Sequence, residues 1–205
     1  MDQQRARVYG LLGQLLARPP SRALLAQVAS LRGGGDAPLG RALVEFAGLA
    51  GSTSEAAAER EYNALFIGVS RGELVPYASY YLTGFLNDRP LARLRGDMQA
   101  LGLERAPGVA EPEDHIAALC EMMAGLITGA FGESSDIGQR RFFERYLAPW
   151  AGRFFGDLER AEAARLYRPL GAVGSLFLEI EAEDWAAVAV AVPATGAEPD
   201  RVGLA

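Results

Sequence analysis

The sequence predicts an all-α fold, a single-domain bundle of about nine or ten helices. Apolar residues recur at the three- and four-residue spacing of a buried helix face through most of the chain, whereas no run alternates strictly between apolar and polar residues as a half-buried strand does. Serine, aspartate, proline and glycine stand between these stripes, where helices start and stop. We expect a helical domain over residues 1–191 and a loose tail over residues 192–205.

The first three helices are separated by proline and glycine. Apolar residues with helical spacing extend from Val8 to Ala17, and Pro19 ends this helix because proline disfavours the helical conformation in the residue before it. Ser21 is placed to cap the second helix. Three glycines, residues 33–35, precede a third helix over about residues 38–49.

A fourth helix and an aromatic loop follow. Ser52 and Glu55 match a capping box and are expected to open the helix. One face of this helix is apolar and carries Tyr62, Leu65 and Phe66. The residues that then break the helix are Gly68, Gly72 and Pro76. The loop ends in Tyr77, Tyr80 and Tyr81. An apolar, aromatic loop of this length either packs back on the core or forms a binding surface, and the residues alone leave both interpretations open.

Three helices are expected next. A short one covers about residues 80–86, and Asn87 or Asp88 caps the following one, which Gly102 ends. After a loop over residues 106–110, Pro112 is expected at the first position of a further helix, where its missing N–H group costs nothing.

The last three helices complete the predicted bundle. Asp136 is expected to cap a long helix with a kink at Pro149. Asp157 is expected to start a short helix that extends to Tyr167, and Pro169 to start the last one.

The composition excludes several classes of function. A net charge of -6 and a pI near 5.0 disfavour nucleic acid as a partner and suit a cationic one. Every basic side chain is arginine, so a phosphate-loop lysine and a Schiff-base lysine are both excluded. His115 and Cys120 are the single histidine and cysteine, which excludes a zinc site of the usual type and an internal disulfide. We expect neither a metal nor a cofactor.

The chain contains no apolar stretch of the length needed to cross a bilayer. Arg5 and Arg7 precede an apolar run, but Gln14 interrupts that run and no cleavage site of small residues follows it. We therefore expect no membrane insertion and a cytoplasmic location.

Three short motifs have simpler explanations than a functional site. The sequence from Gly68 to Gly72 spells a nucleophile elbow, but a helix precedes it, so a glycine-flanked turn is favoured. Arg140 and Arg141 are internal and are interpreted as part of a solvated helix face. The acidic run from Glu111 to Asp114 is expected in the first turn of a helix, where carboxylates are favoured. His115 follows it and is expected to be neutral and partly buried.

Three spaced motifs together resemble one known family. They are Tyr62-x-x-Leu65-Phe66-x-Gly68, Pro76-Tyr77-x-Ser79-x-Tyr81 and Pro112-x-Asp114-His115-Ile116. Their order and separations are similar to those of the TorD-like family, the cytoplasmic maturation chaperones of molybdoenzymes exported by the twin-arginine route. The resemblance covers most of the chain, to about Trp185. It departs at Tyr77, where the family often has tryptophan.

The resemblance implies an all-helical fold without enzymatic activity that binds the twin-arginine signal peptide of a molybdenum-containing oxidoreductase. The peptide-binding residues that it implies are Leu65, Phe66, Pro76, Tyr77, Ser79, Tyr81, Asp114 and His115. Glu111, Glu113 and Asp114 would supply carboxylates for the arginine pair. We expect these residues to converge in one apolar groove with an acidic rim.

Two further possibilities stay open at this stage. One is a helical enzyme or nucleotide-binding protein that uses His115, and the other is a regulator of the same fold that binds no signal peptide. The glycine-rich joints are compatible with a monomer or with a domain-swapped dimer.

Overall fold

The computed structural model describes residues 2–34, 36–69, 71–100, 110–132 and 134–191, and in these ranges it contains ten α-helices and no strand. The helices are α1 (Asp2–Ala17), α2 (Arg22–Ala29), α3 (Pro38–Ser52), α4 (Glu55–Tyr62), α5 (Ala78–Thr83), α6 (Arg89–Ala100), α7 (Ile116–Thr128), α8 (Asp136–Phe142), α9 (Ala151–Arg160) and α10 (Tyr167–Ala191). The predicted all-α fold and helix number are confirmed. The predicted tail, the stop at Gly102 and most of the loop over 106–110 lie outside the described residues.

Two π-helical segments extend α4 and α8. They cover Asn63–Ile67 and Phe143–Leu147, so each follows its α-helix without a break. π-Helical segments are rare in proteins, and those that occur are often found near functional sites. The first carries Leu65 and Phe66 and leads directly into the aromatic loop.

The core is built from paired helices. α1 packs along α7, α9 packs along α10, and α3 contacts both α2 and α10. Gly171 allows the close approach of α10 to α9, since a Cβ atom there would lie 2.6 Å from the backbone nitrogen of Glu159. The largest fully buried side chains include Trp150, Tyr9, Tyr167, Phe46, Phe143, Phe154 and Phe155. Burial of this many aromatic groups supplies the main driving force for folding.

A buried ion pair joins α1 to α10. The guanidinium of Arg5 donates to both carboxylate oxygens of Glu181, at 2.6 and 2.9 Å, and also to Gln139 at 3.0 Å. The hydroxyl of Tyr9 donates to the same carboxylate at 3.1 Å. Burial removes water from both charged groups, which costs free energy. This cost is offset because Arg5 donates to both carboxylate oxygens of Glu181. Helical periodicity gave no indication of this network.

Two predicted caps were wrong by one or two residues. Ser52 is the last residue of α3, and Ser54 caps α4 by accepting a hydrogen bond from the N–H of Ala57 at 3.3 Å. Ser135 rather than Asp136 caps α8, with its hydroxyl accepting from the N–H of Gly138. The predicted cap of α2 by Ser21 is confirmed.

The last three predicted helices also need correction. The chain forms a turn at residues 148–150 instead of a kinked helix at Pro149, and α9 begins after it. Asp157 lies inside α9 and starts no helix. α10 begins at Tyr167, before Pro169.

The start of α10 is set by a carboxylate from α4. Glu61 accepts hydrogen bonds from the N–H groups of Arg165 at 2.7 Å, Leu166 at 3.1 Å and Tyr167 at 2.8 Å. The N–H of Tyr167 is one of the donors that a helix start leaves without an intrahelical partner, and the other two belong to the residues directly before the helix. A carboxylate at that position also interacts favourably with the helix dipole.

We predict that Glu61→Ala lowers the free energy of unfolding by about 1–3 kcal/mol, because it removes the acceptor from backbone donors at the start of α10. Urea denaturation followed by circular dichroism measures the change. Glu59→Ala, an exposed position on the same helix, is the matched control. Equal stability of the two variants would contradict this account of the α10 start.

Candidate functional site

The aromatic loop, which we call the connector (residues 68–77, described except for Ser70), folds back on the π-helical segment that precedes it. The N–H of Gly68 donates to the backbone carbonyl of Asn63 at 2.7 Å, and the N–H of Leu74 donates to the carbonyl of Leu65 at 2.8 Å. Gly68 has a φ of 62°, a conformation that favours glycine. A Cβ atom at Gly72 would lie 2.4 Å from the backbone of Phe66. The two glycines therefore permit the tight return of the chain.

The end of the connector is hydrogen-bonded to the start of α7. The N–H of Ile116 donates to Pro76 at 2.9 Å, and the N–H of Ala78 donates to the carbonyl of Asp114 at 3.0 Å. The N–H of Ser79 donates to the Asp114 side chain at 2.7 Å. We call these three hydrogen bonds the crossing. It places side by side two motifs that are far apart in the sequence, with Tyr77 and His115 as paired neighbours.

His115 caps α7. The helix begins at Ile116 rather than at the predicted Pro112, because Nδ1 of His115 accepts the N–H of Ala117 at 3.1 Å. The ring packs edge-on against Tyr77 with centroids 5.0 Å apart. Burial lowers the pKa of His115 to about 4. The expected neutral imidazole is therefore confirmed, and the proton lies on Nε2 because Nδ1 acts as an acceptor.

The acidic run precedes α7 instead of forming its first turn. Asp114 is only 1 % exposed, and it uses one carboxylate oxygen for Ser79. Its other oxygen and the Ser79 hydroxyl are buried without a hydrogen-bond partner among the described residues. Glu113 pairs with Arg95 at 2.8 Å. Neither carboxylate is therefore presented to solvent as a free acidic group.

Glu111 is the exposed member of this run. The hydroxyl of Tyr77 donates to its carboxylate, and among the described residues Glu111 has no ion-pair partner. Partial burial raises the pKa of Glu111. Burial, and then the nearby Glu111 charge, raise the pKa of Tyr62 to about 12. The site thus combines one unpaired carboxylate with aromatic neighbours.

The predicted apolar and aromatic residues differ in exposure. Leu65 is fully buried, whereas Phe66 is half-buried between the rings of Tyr62 and Tyr167, at centroid distances of 5.0 and 5.5 Å. Tyr81 is also half-buried, and its hydroxyl donates to Asp157 at 3.0 Å.

The nine predicted site residues divide into two groups. The buried ones are Leu65, Pro76, Ser79, Asp114 and His115. The ones with exposed surface are Phe66, Tyr77, Tyr81 and Glu111. The crossing brings Pro76, Tyr77 and Ser79 next to Asp114 and His115. Leu65 and Asp114 cannot line an open groove because they are buried. A depression of about 1010 Å³ lies elsewhere, between α2, α3 and α4.

A model of the family described as nitrate reductase delta subunit matches residues 33–156. The chain belongs to this family. Its resemblance to the TorD-like group is confirmed by relatives named chaperone protein TorD. The one from Vibrio cholerae is 28% identical over 123 residues, which are 56% of each chain. The one from Vibrio vulnificus is 28% identical over 99 residues, which are 44% of this chain and 46% of the relative. The chain thus matches about half the length of these relatives.

The fold is also found in a solved structure. The crystal structure of a proposed redox enzyme maturation protein from Archaeoglobus fulgidus aligns with a TM-score of 0.57. It is 23% identical in sequence, and the alignment covers 85% of this chain and 93% of that one. This likeness shows that the arrangement of helices is shared.

Some residues that fix the site in this family member were not predicted. Glu73 of the connector accepts the N–H groups of Glu162 at 2.6 Å and Ala163 at 3.0 Å, which ties the connector to the turn before α10. No local sequence signal identifies a contact across that separation. Among the described residues no group of histidine, cysteine and acidic side chains is arranged to hold a metal ion. No helix among them has the length and hydropathy needed to cross a membrane.

We predict a pH dependence of stability that originates at His115. Between pH 6.5, the ordinary pKa, and about 4 the unfolded chain binds a proton that the folded chain does not, so acidification favours unfolding. His115→Asn keeps a capping acceptor but removes the titration. Wild type should lose about 2 kcal/mol more stability than His115→Asn between about pH 7 and pH 5.

Urea denaturation at the two pH values provides this comparison. Proton NMR gives an independent check because the chain has a single histidine. Its ring signals should show no titration midpoint near 6.5. A midpoint at that pH in the folded protein would show that the ring is not buried as described.

Proposed function

We propose that this protein is a noncatalytic chaperone of redox enzyme maturation. It would bind the twin-arginine signal peptide of a molybdenum-containing oxidoreductase in the cytoplasm and delay export until the cofactor is inserted. Membership of the nitrate reductase delta subunit family and the relatives named chaperone protein TorD support the general role. The site geometry supports the binding of a cationic, partly apolar peptide.

The observation that carries the proposal is the exposed Glu111–Tyr77 pair above the crossing. A guanidinium group is planar and donates two parallel hydrogen bonds to a carboxylate. It also stacks on aromatic faces. Glu111 has no ion-pair partner among the described residues, and its carboxylate accepts a hydrogen bond from Tyr77, whose ring is only partly buried. An arginine of the peptide would therefore find both kinds of contact.

The buried motif residues have a supporting role in this proposal. Asp114, Ser79 and His115 hold the connector against α7, and Leu65 anchors the π-helical segment in the core. This fixes the positions of the residues that would contact the peptide before the peptide arrives. A surface fixed in advance loses less conformational entropy on binding.

Catalysis by His115 is not supported by this geometry. Its ring is buried, and Nδ1 already accepts a backbone hydrogen bond. A general base must reach the substrate proton within hydrogen-bond distance. The absence of lysine from the sequence also argues against a standard phosphate-binding loop.

We predict that Glu111→Gln weakens binding of a synthetic peptide with two adjacent arginines followed by an apolar segment by roughly tenfold, about 1.4 kcal/mol, because it removes the charge from the arginine site. Fluorescence polarisation with a labelled peptide measures the affinity. Glu179→Gln, an exposed position on α10, should bind as wild type does.

Salt adds a second readout to this titration. Added salt should weaken binding to wild type and have less effect on Glu111→Gln, since exposed ion pairs are screened. Equal affinity of wild type and Glu111→Gln at low salt would remove Glu111 from the site. No detectable binding of this peptide to wild type would overturn the proposed peptide recognition.

A further inference from the structure

Three apolar side chains are exposed around the turn between α5 and α6. We call Leu82, Phe85 and Leu86 the apolar turn; they are 41%, 72% and 49% exposed. A single exposed apolar residue is ordinary, but several within five residues form a patch of the kind that marks an interaction site. None of the three belongs to the set of residues predicted from the sequence motifs.

The backbone of the apolar turn is held by local hydrogen bonds. The hydroxyl of Thr83 donates to the carbonyl of Ser79 at 2.9 Å and accepts from the N–H of Phe85 at 3.3 Å. Gly84 adopts a left-handed conformation with φ 83°. Asn87 has φ 59°, which is uncommon outside glycine. The turn therefore keeps Phe85 and Leu86 in solvent in a defined backbone conformation.

The apolar turn and Glu111 lie at opposite ends of α5. Tyr77, which is bonded to Glu111, is the residue before α5, and Phe85 is the second residue after it. Six helical residues span about 9 Å, and two more add up to about 7 Å. The acidic end and the apolar end are therefore at most about 16 Å apart, the length of about ten helical residues.

Two arginines lie along α5 between these ends. Arg71 stacks on Tyr80 with its guanidinium 5.0 Å from the ring centroid, and Arg153 lies 5.9 Å from the centroid of Tyr81. Arg153 also donates to the carbonyl of Tyr81 at 2.7 Å. These cations repel an arginine pair from the middle of the surface.

Two other carboxylates lie along this surface, but Asp157 pairs with Arg160 at 2.8 Å and Asp88 pairs with Arg89 at 3.9 Å. Glu111 has no ion-pair partner among the described residues and is therefore the carboxylate offered to an arginine of the peptide.

We propose that the apolar turn binds the apolar segment of the signal peptide, which lies along α5 with its arginines at Glu111 and its later, apolar residues at Phe85 and Leu86. This inference rests on the proposed function. It adds a second contact surface and specifies the direction in which the peptide lies along α5. An acidic site at one end and an apolar patch at the other complement a peptide whose arginines precede its apolar part.

Two labelled synthetic peptides test the inference. The long peptide has two adjacent arginines followed by about ten leucine and alanine residues, enough to reach the apolar turn. The short peptide ends directly after the arginines. The variants are Phe85→Ser combined with Leu86→Ser, and Val44→Ser as the control, because Val44 is an exposed apolar residue on α3. Circular dichroism verifies that each variant is folded.

The double variant should bind the long peptide roughly tenfold more weakly than wild type and bind the short peptide with unchanged affinity. Val44→Ser should change neither. A benzophenone photocrosslinker at the carboxyl end of the long peptide should attach to the segment containing Phe85 and Leu86, as identified by mass spectrometry.

Unchanged affinity of the double variant for the long peptide, together with weaker binding by Glu111→Gln, would overturn the inference and leave the proposed function standing. Failure of wild type to bind either peptide would overturn both. If sedimentation shows that the double substitution converts a dimer to a monomer while long-peptide affinity is unchanged, the apolar turn binds a second copy of this chain and the inference is wrong.

Discussion

The crossing between the connector and the start of α7 is the constraint on which the candidate site depends. Three hydrogen bonds, made by the N–H groups of Ile116, Ala78 and Ser79, join two segments that are far apart in the sequence. Helical periodicity alone does not predict that these segments meet. Two of them end on Asp114, which is buried, and a buried acceptor is costly to leave without a donor. The arrangement is therefore hard to open without unfolding the start of α7. It fixes Tyr77 beside Glu111 and sets the direction of α5.

This constraint also explains why the family motifs contain so many buried residues. Leu65, Pro76, Ser79, Asp114 and His115 resemble a binding signature in sequence, yet each is buried. Their chemistry serves the architecture: a carboxylate and an imidazole satisfy backbone donors, and two apolar groups fill the space beneath the loop. The exposed residues around them carry the proposed recognition. We infer that the motif residues hold the connector in place. They thereby position the exposed residues that would contact a peptide.

Sequence reasoning predicted what is local and failed where distant segments meet. Helical periodicity and the Ser21 cap were sufficient for the all-α fold, because apolar spacing and a serine hydroxyl act within one or two turns. The caps of α4 and α8 were displaced, since several polar residues were available at each start. The beginning of α10 could not be predicted at all, because its acceptor, Glu61, lies 106 residues from Tyr167 in the sequence. His115 was identified as unusual and neutral, but its role as the cap of α7 was missed because the helix was expected to start at Pro112.

Amide hydrogen exchange followed by NMR tests the central claim most directly. If the crossing holds the connector and α7 as one unit, the amides of Ala78, Ser79 and Ile116 should exchange as slowly as that of Leu119 in the first turn of α7. Rapid exchange at Ala78 and Ser79, with protection retained at Leu119, would show that the connector separates from α7 in the folded protein and would contradict the account.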